Sequence, residues 1–204
     1  DRVVGGSGPR LRTSAAPEEQ EAEILAAARR EFTEIGVRRA SMDAVARAAG
    51  VSRSTLYRRF PNKDALLAAV GQGMAAETME RLGEVVRGLS PGDAVVEAFV
   101  ECARMVADDQ LIRRLLLDEP DLTDVLVSRS PRGAGEFLEA SSLAVASTLR
   151  RTGATMSDDD LALVSEHFVR IALSLTQVRT RLLDVADLDS IRVYAARFLA
   201  PMVS

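Results

Sequence analysis

One cysteine, one histidine and one lysine stand in a chain of 204 residues, and each scarcity closes off a class of chemistry. Cys102 alone cannot build an internal disulfide framework, and such sparing use suits a reducing cytoplasm. The residue itself reads as a small buried apolar group. His167 lies mid-helix between Glu166 and Phe168, and the chain has no His-x-x-x-His pair, no cysteine cluster and no Gly-x-Ser-x-Gly elbow. No glycine-rich phosphate loop occurs either. The acidic runs Asp118-Glu119 and Asp158-Asp159-Asp160 fall near expected helix ends, where solvation and capping account for them. Neither metal nor cofactor is therefore expected, and the chain does not read as an enzyme. Apolar stretches run for only a few residues, too short for a transmembrane helix. Val3-Val4 is likewise too short for the core of a secretory signal. No segment alternates polar and apolar with period two over a useful length, which leaves an all-α protein.

Charge is present in plenty and is unevenly placed. Residues 1–63 hold 12 basic against 8 acidic side chains, a balance of +4; residues 64–204 hold 14 against 22, a balance of −8, and the two sum to −4. A basic first third on an acidic remainder suits a DNA-binding head carried by a body that phosphate repels. Lys63 is the one basic residue that is not arginine.

Within that basic third, residues 41–63 organise the chain. Met42, Val45, Ala46 and Ala49 recur at helical spacing, with Ser41 placed to cap the first amides. Gly50 can turn the chain at positive φ, Val51 follows as an apolar plug, and Ser52 is placed to cap a second helix reaching Phe60. Two short helices about a tight glycine turn make a helix-turn-helix. Leu56 and Phe60 fall on one side of the second helix and pack inward. Arg53, Ser54, Tyr57 and Arg58 fall on the other, a face suited to base edges and phosphates in a major groove; an ordinary solvated basic face is the alternative for that cluster alone.

Ser41–Ala49, Gly50-Val51-Ser52, Thr55-Leu56-Tyr57, Phe60 and Lys63, continued by Leu66 and Leu67, together resemble the DNA-binding signature of TetR-type (TetR/AcrR) transcriptional regulators. The family more often has Thr at the place of Ser41, a small residue at Ser54, and an aromatic or His at Arg58 or Arg59, so no operator sequence carries over. The resemblance implies an N-terminal three-helix bundle with the helix-turn-helix, followed by a larger helical ligand-binding and dimerisation domain. It implies base and groove contacts from Arg53, Ser54, Tyr57 and Arg58, and phosphate contacts from Ser41, Thr55, Arg59 and Lys63. It also implies a long helix after Lys63 that acts as a lever.

The rest of the chain is read around that motif. Residues 1–16, with Gly5-Gly6 and Gly8-Pro9, form a flexible arm that reads as a tail, with Arg10 and Arg12 in reach of a minor groove as the alternative. Residues 17–63 form the head, its first helix presenting Leu25, Ala28, Phe32 and Ile35, and its core built on Phe32, Val45, Leu56 and Phe60. Residues 64–204 form the effector-binding and dimerisation domain, with helices expected at 63–89, 94–108, 110–117, 122–127, 131–151, 158–183 and 187–202. Phe99, Cys102, Met105, Leu111, Leu116, Leu126, Phe137, Leu138 and Phe168 lie in helices that the resemblance places around a pocket, and apolar walls of this kind suit a hydrophobic or amphipathic small molecule. Leu161, Val164, Ile171 and Leu175, with Leu188, Ile191, Ala195 and Phe198, form two stripes expected to pair with a second copy as a four-helix bundle, with the core of a single chain as the alternative. The expected partners are thus a double-stranded DNA operator, a second copy of the chain and a small hydrophobic effector, with no membrane. The expected function is a transcriptional regulator, of repressor type, released by the effector in the cytoplasm. A helical small-molecule-binding protein or enzyme without sequence-specific DNA binding is the alternative, and an architectural DNA protein a second one.

Overall fold

A proline and two glutamates open the first helix, α1 (Pro17–Ile35), where a missing N–H leaves no bond unmade and negative charge meets the positive end of the helix dipole. The computed structural model describes residues 17–118, 122, 134–177 and 181–204. The expected arm 1–16 and most of the expected helix 122–127, Leu126 included, lie outside the described residues. Helix α1 turns inward Ile24, Ala27, Ala28 and Phe32, whereas Leu25 is only partly buried and Ile35 is exposed. Ala28 and Phe32 face inward as the sequence spacing predicts, while Ile24 takes the place expected of Leu25. The inward stripe follows positions 24, 28 and 32, and Ile35 is the last residue of the helix, just before Gly36 (φ 88°) turns the chain.

Helices α2 (Met42–Ala48) and α3 (Arg53–Arg59) follow, joined through Gly50 at φ 67°, a conformation that a Cβ disfavours. Asn62 then caps α4 (Lys63–Val85), its side-chain oxygen accepting the N–H of Ala65 at 2.8 Å. That helix stops short of residue 89 because the chain turns at Gly88 (φ 78°). Ser90 caps α5 (Pro91–Asp108). The Asp109 carboxylate caps α6 (Gln110–Arg113), which widens into a π-helical turn at Arg114–Asp118. A hairpin of α7 (Ala134–Arg151) and α8 (Asp158–Gln177) is next, with Ser157 accepting from the N–H of Asp160 at 3.1 Å. The last helix, α9 (Leu188–Tyr194), continues through a π turn and a 3-10 turn to Met202. No strand occurs among the described residues, and the fold is all-α.

Two hydrophobic cores divide the work. The first joins Phe32, Val45, Leu56 and Phe60 of the first three helices to Leu66, Leu67 and Val70 from the start of α4. It also takes in Leu111 and Leu115 from α6 and its π turn, so this core does not stop at residue 63. Each large side chain fully buried there contributes roughly 1.5–3 kcal/mol. The second core is built around α5, which lies against α4, α6, α7 and α9. In it Phe99 meets Phe168 edge to face at 6.1 Å. One ionised group is sealed into the body: Glu101 is 2% exposed and is held by Arg81 from α4 and Arg104 from its own helix. A buried carboxylate is tolerable only with such partners, so Glu101 fastens α4 to α5.

Candidate nucleic-acid interface and effector cavity

Helix α3 is positioned by its buried side. Leu56 is fully enclosed and Phe60 nearly so, which fixes the rotation of the helix and turns Arg53, Ser54, Tyr57 and Arg58 to solvent. Its first turn is organised by the Ser52 hydroxyl, which accepts the Thr55 N–H at 3.1 Å and meets the hydroxyls of Ser54 and Thr55 at 2.9 and 2.8 Å. Arg53 is 70% exposed and rests against Asp43 of α2 at 2.9 Å, while Arg58 makes no ion pair among the described residues. The result is a short, rigid face with two reachable guanidiniums, a phenol and a hydroxyl, the donor set that base edges and phosphates accept from.

Two of the expected phosphate ligands are occupied within the head. Lys63 donates through Nζ to the carbonyls of Arg38 at 2.7 Å and Ala40 at 3.3 Å, tying the start of α4 to the turn after α1. Arg59 forms an ion pair with Glu21 of α1 at 2.7 Å. In the chain by itself both side chains thus hold helices together. Ser41 stands at the N-cap position of α2 without making a capping bond; its own N–H donates to Glu31 Oε1 at 3.3 Å, and the residue is exposed beside α3.

Behind the head lies a cavity of ≈330 Å³. Of the residues expected in its walls, Phe99, Cys102, Met105, Leu116, Phe137 and Phe168 are there. Leu111 is not, because it is buried in the head's core, and Leu138 is not part of the lining. The long helix supplies a wall that the sequence reading missed, through Ala75, Thr78, Met79 and Leu82. Its apolar residues could have signalled this, since a helix packed on α5 alone needs no second apolar flank. Burial pushes the Cys102 thiol up to about 11, so it faces the cavity as a neutral group. Helix α6 has two faces: Leu111 and Leu115 enter the head's core, and Ile112 and Leu116, one position on, line the cavity.

The stripes expected between two copies divide. Leu161, Ile191 and Ala195 are buried inside the protomer, where they close the second core, and Ile191 and Leu175 also line the cavity. They are core residues here because the inward face of α8 follows positions 161, 165 and 168, and that of α9 with its π turn follows 191, 195 and 199. Val164, Ile171 and Leu188 pack partly against the same core. The outward faces instead show Leu163 at 68%, Val193 at 65% and Phe198 at 54% exposure. A shallow groove lined by Met156, Leu163, Val164, His167 and Met202 lies where α8 meets the end of α9.

Residues 24–70 match the family model of bacterial regulatory proteins, tetR family. An uncharacterized HTH-type transcriptional regulator of Mycobacterium tuberculosis is 28% identical over 169 residues, 82% of this chain and 84% of that protein. Among solved structures, the TetR family repressor AlkX from Dietzia sp. strain DQ12-45-1b, implicated in biodegradation of n-alkanes, superposes with a TM-score of 0.66 at 22% identity, covering 88% of this chain and 94% of its own. RolR, solved in complex with resorcinol, gives 0.63 at 18% identity over 92% and 88%. These likenesses are to regulators and not to enzymes, and the structural ones speak for the fold.

Proposed function

We propose that the chain is a DNA-binding transcriptional regulator of the TetR type, working in the cytoplasm as a homodimeric repressor released from its operator by a small hydrophobic effector. Among the described residues no helix is long and apolar enough to cross a membrane. Arg53, Ser54, Tyr57 and Arg58 read the major groove in this proposal, with Ser41 and Thr55 on the flanking phosphates. A domain of residues 17–63 reads DNA, and residues 64–204 bind the effector and pair the copies.

The observation that carries the reading is the two-faced α6. A molecule filling the cavity presses on Ile112 and Leu116, and the same backbone carries Leu111 and Leu115 into the head's core. Asp109, which caps that helix, also holds Arg29 of α1 at 2.9 Å, and Arg29 reaches Glu77 of α4 at 2.7 Å. Head, lever and cavity wall therefore meet at one junction. A ligand that fits one arrangement of these helices better than the other shifts their balance by its differential affinity. The test is binding to the DNA upstream of the protein's own gene, with and without a panel of lipophiles. Sequence-preferring binding that a panel member weakens is the expected result. Binding without sequence preference, or none, removes the reading.

A further inference from the structure

Resting on the reading of the cavity as the effector site, we propose that its ligand is an uncharged lipophile carrying a hydroxyl group, an alcohol or phenol and not a carboxylate or phosphorylated conjugate, with Ser141 as its anchor. Among the described residues no Asp, Glu, Lys, Arg or His lines the cavity. A carboxylate placed there would lose its hydration with no cation among the described residues to replace it, so the acid takes up a proton before entry.

The polar part of the wall is four hydroxyls and the Cys102 thiol. Three of the hydroxyls already donate their proton within their own helix: Thr78 to the Met74 carbonyl at 2.8 Å, Thr148 to Ala144 at 2.9 Å and Thr176 to Leu173 at 2.7 Å, and the Thr148 oxygen also accepts from the Arg151 guanidinium at 2.9 Å. Each can offer a ligand only an acceptor lone pair. Ser141, on α7, makes no hydrogen bond among the described residues, so its O–H can both donate and accept. A wall richer in acceptors than donors favours a guest that brings one proton of its own, which a hydroxyl does and an ester or ketone does not.

Cys102 is the one titratable side chain among the described lining residues; Glu101, its neighbour, faces Arg81 and Arg104 instead. Among the described residues the wall therefore keeps its charge from pH 6 to 8, and the pH dependence of binding that the proposal expects belongs to the ligand. The experiment uses the full chain and displacement of Nile red, an uncharged solvatochromic dye, by para-pentylphenol, pentylbenzene and para-pentylbenzoate. At pH 8 the phenol binds at least about 100-fold more tightly than the benzoate. The benzoate alone gains about tenfold for each unit by which pH is lowered toward its pKa. Ser141→Ala weakens the phenol about tenfold and leaves pentylbenzene within twofold; a merely structural role for Ser141 would move both. Benzoate binding equal to the phenol's, without pH dependence, overturns the uncharged class. An unchanged phenol in Ser141→Ala overturns the anchor. If the folded protein takes up neither the dye nor any of the three compounds, the cavity is not a ligand site, and the effector reading falls along with the proposal.

Discussion

Arg53 and Lys63 are both cations of the DNA-binding head, yet their surroundings assign them different work. Arg53 is an exposed guanidinium whose present partner, Asp43, lies on the surface and is easily exchanged for a guanine edge. Replacing it with alanine should cost about 1–3 kcal/mol on the preferred duplex and relax sequence choice at one position, measured by competition against substituted operators. Lys63 is committed to two backbone carbonyls. Lys63→Met should lower stability to denaturant by about 1 kcal/mol while leaving the salt dependence of duplex binding unchanged. A slope reduced by one unit would return Lys63 to the phosphates. Which side of α3 meets solvent was legible in the sequence because period and burial agree: Leu56 and Phe60 inward, Arg53, Ser54, Tyr57 and Arg58 outward. The fate of Lys63 and Arg59 was not, because Glu21 and the carbonyls of Arg38 and Ala40 approach only when α1 is folded against them.

At the scale of helices, α6 shows how a single turn can serve two cores. Leu111→Ala removes a fully buried side chain from the head and should destabilise it by about 2–5 kcal/mol. Ile112→Ala, one residue on, touches the cavity and should change ligand affinity with little effect on duplex binding in the absence of ligand. Thermal melts and duplex titrations on the two variants separate these outcomes. The joint between α4 and α5 has its own signature. With Arg81 and Arg104 both replaced by alanine, Glu101 is left buried without a counter-charge, which should cost about 3–5 kcal/mol in denaturant unfolding. Either replacement alone should cost less than half of that, since one guanidinium still neutralises the carboxylate. The helices themselves followed from apolar spacing, glycine stops and caps such as Ser52 and Ser157. Which face of each helix met which neighbour did not. Leu111 and Ile112 are equally apolar, and only tertiary packing sends one to the head and the other to the cavity.

On the scale of the whole chain, the distribution of charge and of uncovered apolar surface bears on pairing. The +4 balance of residues 1–63 and the −8 balance of residues 64–204 favour contact with DNA through the heads alone. One head presents a helix of only seven residues, too small a reader for a unique site, whereas two heads about 34 Å apart read successive major grooves on one side of the duplex. The outward faces of α8 and α9 leave Leu163, Val193 and Phe198 in solvent, and these, not the buried Leu161, Ile191 and Ala195, are the surface on which a second copy can sit. On a solitary chain, Leu163→Glu would be a benign surface change. Across a pairing face it buries a charge in each copy without a counter-ion. The variant should therefore sediment as the single 22.0 kDa chain, and the parent, on the proposed pairing, at twice that mass. Its operator affinity should fall further than in any single α3 variant, with the salt slope cut to about half because one head neutralises half as many phosphates. If mass and slope are both unchanged in Leu163→Glu, the two heads are not joined through this face, and the paired reader has to be built on a different surface.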